Sequence, residues 1–158
     1  MRRVIGLLTL FLLLLSCQQK ENKEAEQPKS LIPQKEYAVL VVESKGCIYC
    51  AQLKKDIKTD PKLKEALKDF DVYTLLYESY EPVETNIGGE RRRLPEKELA
   101  VELEATSFPY VVFYDRSGNV IVKIPGYMPP DKLACVARYV KSGSYRTTTL
   151  QDYLKQCT

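Results

Sequence analysis

The chain has 158 residues, with 24 Lys and Arg against 21 Asp and Glu and a formal charge of +3 at neutral pH, a size that suits one domain able to bury its own core. Removing the first sixteen residues takes away only Arg2 and Arg3 and leaves 22 basic residues against 21 acidic ones, so nothing suggests an electrostatic footprint for nucleic acid. Histidine is absent, which excludes His-dependent triads, His general-base chemistry and His metal ligands.

Arg2 and Arg3 precede an apolar run from Val4 to Leu15, about a dozen residues long and too short for an ordinary spanning helix. The run ends in Leu14-Leu15-Ser16-Cys17, which resembles the lipobox of bacterial lipoproteins, where the cysteine becomes the acylated N-terminus. That resemblance makes residues 1–17 a lipoprotein signal and Cys17 a lipid anchor on the periplasmic side of a bacterial membrane. An ordinary export signal with an incidental cysteine is the alternative. Residues 18–33 are rich in Lys, Glu and Gln and read as a disordered tether, which leaves 34–158 as the folded domain.

Within that domain Tyr37 to Val42 is a β-rich apolar run of the length expected for a strand buried on both faces. It leads into Glu43-Ser-Lys-Gly-Cys-Ile-Tyr-Cys50, after which Leu53 and Ile57 continue from Cys50 at helical spacing. Asp60-Pro61 caps and opens a second helix, and Val72 to Tyr77 is a second strand. Glu78 to Arg93 is polar, with Pro82, Gly88 and Gly89, and reads as an irregular surface excursion. Its Arg91-Arg92-Arg93 run fits a solvated loop better than a site for an acidic partner. Pro95 opens a helix on which Leu99 and Leu103 align. Tyr110 to Tyr114 and Val120 to Ile124 are strands joined by the hairpin turn Asp115 to Asn119. A helix from Pro130 and a last one carrying Leu150, Tyr153, Leu154 and Cys157 complete the order, which is α/β in class.

Cys47 and Cys50 form a C-x-x-C between a buried strand and a helix. Free N–H groups and the positive dipole end at a helix N-terminus stabilise a thiolate, the nucleophile and leaving group of disulfide exchange. Cys47 is expected to be that thiolate and Cys50, one turn inside, the resolving thiol. Three alternatives stand beside this reading. One is half of a zinc site completed by Cys135 and Cys157, a poor spacing. The others are a purely structural disulfide in an oxidising compartment and copper delivery, for which only Met128 is at hand.

The strand before the C-x-x-C, the segment Thr106-Ser-Phe-Pro-Tyr110 and the turn Phe113 to Gly118 resemble the thioredoxin superfamily over about residues 35 to 141. The resemblance implies a three-layer sandwich around a central mixed β-sheet, here with an extra C-terminal helix. It implies a cis peptide before Pro109, lying against the redox disulfide and leaving Phe108 free to pair with substrate, although a plain turn proline fits the letters too. Gly126-Tyr127 resembles the family's glycine after the last strand. Glu43 to Cys50 and the stretch Tyr139 to Tyr153 are most similar to the SoxW-like periplasmic thioredoxins of sulfur-oxidation systems, which are taken to reduce periplasmic partner disulfides. Val41 stands where the family's buried proton-accepting aspartate would be, so Glu43 becomes the candidate proton acceptor for Cys50.

At about 100° per residue Cys135 and Tyr139 fall opposite Leu133, Val136, Ala137 and Val140 on their helix. The simplest arrangement docks the last helix over them and pairs Cys135 with Cys157; two unpaired cysteines or a second redox relay are the rivals. The function expected is thiol-disulfide exchange, with Tyr49, Phe108 and Pro109 meeting the substrate. Its partner would be a periplasmic protein with a reducible disulfide, of sulfur-oxidation or cytochrome-maturation type, and its electron donor a membrane protein. No metal and no cofactor beyond the Cys47–Cys50 disulfide is expected. Ile48 and Tyr49, where strong oxidants of the family commonly carry His, favour a reductant. A metal chaperone or non-catalytic binding module is the second reading.

Overall fold

The computed structural model describes residues 27–157. The expected signal, Cys17 and residues 18–26 of the tether lie outside the described residues.

Strand β1 (Lys29–Ser30) is followed by β2 (Tyr37–Glu43), helices α1 (Ile48–Thr59) and α2 (Pro61–Leu67), and β3 (Phe70–Leu76). Strands β4 (Pro82–Thr85) and β5 (Arg92–Pro95) come next, then α3 (Glu96–Glu102), β6 (Tyr110–Asp115), β7 (Val120–Pro125), α4 (Pro130–Lys141) and α5 (Leu150–Leu154), with a 3-10 turn at Ser144–Arg146. The main sheet has the order β3-β2-β6-β7, parallel between β2 and β3 and antiparallel elsewhere. No helix among the described residues is long and apolar enough to cross a membrane.

Because side chains alternate along a strand, β2 feeds two cores. Tyr37, Val39 and Val41 join Leu53, Leu63, Phe113 and the α4 residues on one face, whereas Ala38, Leu40 and Val42 join Leu31, Val83, Leu94 and Leu99 on the other. This makes the three layers of the α/β sandwich, with β2 almost wholly excluded from water. Asp60 caps α2 by accepting the Leu63 N–H at 2.8 Å, with Pro61 in the first turn. The turn before β7 needs its glycine: Gly118 has φ +87°, and a Cβ there would overlap the Asn86 carbonyl.

Helix α4 is buried on nearly every side, including Cys135 and Tyr139. The sheet takes one face and the C-terminal segment the other: Tyr139 meets the Tyr153 ring at 5.0 Å and donates to the Thr148 carbonyl at 2.6 Å. Cys135 and Cys157 are disulfide-bonded, their Cα atoms 6.2 Å apart.

Two expectations are corrected. The segment from Glu78 to Arg93 is not irregular, because β4 and β5 pair antiparallel and β1 adds in parallel to form a second, three-stranded sheet. Val83, Thr85 and Leu94 are its inward side chains. Glu96, at the start of α3, ties this sheet to the main one by accepting Leu76 N–H at 2.7 Å and Lys29 Nζ at 3.0 Å. Arg92 and Arg93 are therefore strand residues, and Arg91 and Arg92 pair with Glu84 and Glu102. The fold also begins earlier than residue 34: Leu31 is fully buried, and Tyr114 Oη donates to its carbonyl at 2.6 Å.

Candidate active site

The chain leaves β2 at Glu43 and turns through Gly46, whose φ of +70° belongs to the left-handed region open to glycine, into the first turn of α1. Cys47 is the N-cap of α1, and its sulfur accepts the Cys50 N–H at 3.1 Å, where a cap oxygen would otherwise sit. The two cysteines are disulfide-bonded with Cα atoms 5.2 Å apart. Their surroundings differ: Cys47 is half-buried, whereas Cys50 is 3% exposed and faces the core in line with Leu53. One sulfur is open to attack and the other is sheltered.

Glu43 ends β2 beside this pair. One carboxylate oxygen accepts Lys54 Nζ at 2.8 Å, and the other, Oε1, is buried with no hydrogen-bond partner. Glu43, Lys54, Cys47 and Cys50 together line an open depression of about 400 Å³. On the opposite side Glu78 holds the loop before the disulfide, accepting from the Ser44 hydroxyl at 2.5 Å and the Lys45 N–H at 3.1 Å. Those two hydrogen bonds, the Ser44 one first, hold the Glu78 carboxyl below its ordinary range.

The peptide between Phe108 and Pro109 is cis. Tyr110, the next residue, pairs with Val42 at the end of β2, so this turn and the disulfide share one end of the sheet. The Phe108 backbone makes no hydrogen bond among the described residues. Its ring packs on Tyr77 at 5.1 Å, and the Tyr77 N–H donates to the Glu43 carbonyl at 2.9 Å.

Ile48 and Tyr49, between the cysteines, are 81% and 62% exposed. The Tyr49 ring stacks on Tyr127 from the loop between β7 and α4, with centroids 5.7 Å apart. Tyr127 Oη donates to Asp56 Oδ2 at 2.7 Å, and the Gln52 amide donates to Oδ1 at 2.7 Å. The hydrogen bond to Asp56, helped by desolvation, pushes the Tyr127 phenol up to about 12.

Cys47, Cys50 and Glu43 thus come together, with Phe108, Pro109 and Tyr49 at the same end of the sheet. Cys135 and Cys157 are bonded to each other elsewhere, and among the described residues no group of three or more Cys, Asp or Glu is gathered as a metal site would need. Sequence reasoning missed Asp56, Tyr127 and Glu78. Tyr49, Gln52 and Asp56 are spaced i, i+3, i+7, the signature of one helix stripe, and that was the available signal.

Residues 25–141 match the family described as a thioredoxin-like domain. A thioredoxin-fold protein from Helicobacter pylori is similar at 26% identity and a TM-score of 0.71, over 83% of this chain and 89% of that one. A thioredoxin from Thermus thermophilus matches with 20% identity and a TM-score of 0.50, over 67% and 74% of the two chains. For thioredoxin f2 of Chlamydomonas reinhardtii the values are 14%, 0.51, 72% and 96%. No curated protein matches the sequence. The chain therefore belongs to the thioredoxin-like domain family, and the cysteine pair at the mouth of α1 makes it a thiol-disulfide oxidoreductase.

Proposed function

We propose that the protein is exported, anchored by a lipid on Cys17, and reduces disulfides in periplasmic partner proteins of the sulfur-oxidation or cytochrome-maturation type. The observation that carries the redox part is the Cys47 sulfur at the N-cap of α1, accepting the Cys50 N–H while Cys50 stays buried. Ile48 and Tyr49 support the reducing direction, since neither supplies the extra positive charge that would over-stabilise the reduced form.

In the reduced protein the Cys47 thiolate attacks one sulfur of the partner disulfide, forming a mixed disulfide and releasing a partner thiolate that takes a proton from solvent. Cys50 then gives its proton to Glu43, which lines the same depression and has a buried, unpartnered Oε1, and attacks the Cys47 sulfur. The partner leaves as a dithiol, and the Cys47–Cys50 disulfide holds the oxidising equivalents until a dithiol of a membrane electron donor returns two electrons. Phe108 and Pro109 receive the substrate chain along the unpaired Phe108 backbone, and Tyr49 lines its path. Cys135–Cys157 is structural.

The test is reduction of insulin disulfides by the mature protein with dithiothreitol as electron donor. Wild-type protein turns over and Cys47→Ser does not; equal rates with the two proteins would refute the reading. Metabolic labelling with a radioactive fatty acid tests the anchor, and Cys17→Ala must lose the label.

A further inference from the structure

We infer that Tyr127 is a positioning residue that builds, with Tyr49, an aromatic wall selecting polypeptide disulfides with an apolar side chain beside the cystine. The inference rests on the reading of Cys47–Cys50 as the exchanging pair and names the substrate class of that site.

Tyr49 and Asp56 are seven residues apart on α1, two turns along one stripe, with Gln52 between them. Tyr127 lies against that stripe: its ring covers Tyr49 and its hydroxyl reaches Asp56. Asp56 is only 8% exposed and, among the described residues, has no cation within salt-bridge distance. A buried carboxylate without a cation is costly unless hydrogen bonds satisfy it, and its two bonds come from Gln52 and Tyr127. Asp56 therefore holds the Tyr127 hydroxyl two turns beyond the disulfide, which leaves the ring no choice but to lie along Tyr49.

The consequence falls at the disulfide. Tyr49 is the residue just before Cys50 and keeps 62% of its surface exposed even while stacked. With Ile48 at 81% exposure it offers apolar surface next to the half-buried Cys47. An exposed tyrosine would ordinarily sample several rotamers, and stacking on a fixed ring removes that freedom before a substrate arrives. A polypeptide presenting an aliphatic or aromatic residue beside its cystine gains the contact, whereas glutathione disulfide, small and acidic, does not.

The experiment compares kcat/KM for insulin with kcat/KM for oxidised glutathione, using dithiothreitol as reductant, and reads their ratio. Tyr127→Ala removes the wall and lowers the ratio about tenfold, through KM for insulin, a change in line with the loss of one aromatic contact. Tyr127→Phe keeps the ring, loses the hydrogen bond and lowers the ratio about threefold. Asp56→Ala does the same, and the Tyr127→Phe, Asp56→Ala double variant falls no further, because both substitutions break one link. An unmoved ratio in Tyr127→Ala, an equal loss of kcat on both substrates, or additive losses in the double variant overturns the inference while leaving the exchange reading intact. Failure of the wild-type protein to reduce either substrate overturns both.

Discussion

Two disulfides among the described residues share one small domain and differ in what stands beside them. Cys47–Cys50 closes a single helical turn, one sulfur half-exposed at a helix N-terminus and the other buried. Charged groups stand close by: Glu43 with Lys54, and Glu78 across the loop. Cys135–Cys157 spans 22 residues and joins the fully buried Cys135 of α4 to the part-buried Cys157, where the C-terminal segment docks on α4 through the Tyr139 and Tyr153 rings. Each pair has one sheltered and one part-exposed cysteine, so burial alone does not tell them apart: the difference is a helix N-terminus and an adjacent carboxylate in one case, and a long closed loop under a docked C-terminal segment in the other.

The largest expected effect follows from removing the exchanging sulfur. Cys47→Ser lowers insulin reduction by at least about a thousandfold, since among the described residues no other cysteine caps a helix N-terminus. Equal activity in Cys157→Ser and the wild type would confirm the division of labour, and loss of turnover in Cys157→Ser would erase it. Glu43→Gln comes next. Loss of a positioned proton acceptor costs on the order of a hundredfold in the resolving step, seen as mixed disulfide accumulating on Cys47 in single-turnover quenching; release as fast as in the wild type would acquit Glu43.

The sequence showed most of the exchanging half. A β-branched run into Cys47 and helical spacing after Cys50 are strong local signals, and the continuous apolar run of β6, the turn that follows it and the Pro130 start of α4 are equally plain. The second sheet was hidden because β4 and β5 have four residues each, and their few inward residues, Val83, Thr85 and Leu94, are separated by charges and by Gly88-Gly89. Its third strand, β1, is two residues long and draws its order from tertiary contacts of Leu31, which no local pattern announces. The burial of Asp56 and Glu96 is not legible in the sequence, because nothing there tells which long-range donors, here Tyr127 and the Leu76 N–H, will reach them.

On the holding side, the Cys135→Ser, Cys157→Ser double variant is expected to lose about 3 kcal/mol of stability, from the chain entropy of its closed loop. That is a fall in Tm of roughly 10 °C by calorimetry, and a Tm within a degree or two of wild type would make this bond incidental. The smallest effect concerns the loop before Cys47. Because the Glu78 carboxyl titrates below its unfolded range, its contribution is present above ordinary carboxylate values and is lost as pH falls through the lowered value. Glu78→Gln should therefore flatten the acid side of a Tm-against-pH curve; an unchanged curve would remove Glu78 from the account.

The claim at the centre is that the reduced Cys47 is held as a thiolate at the mouth of α1, and trapping with iodoacetamide tests it most directly. With the protein fully reduced and adducts located by peptide mass, the rate at Cys47 should be nearly flat between pH 7 and 9, with Cys50 and Cys135 slow throughout. A rate at Cys47 that climbs with pH across that span, as it does for a free cysteine with its value near about 8.5, would contradict it.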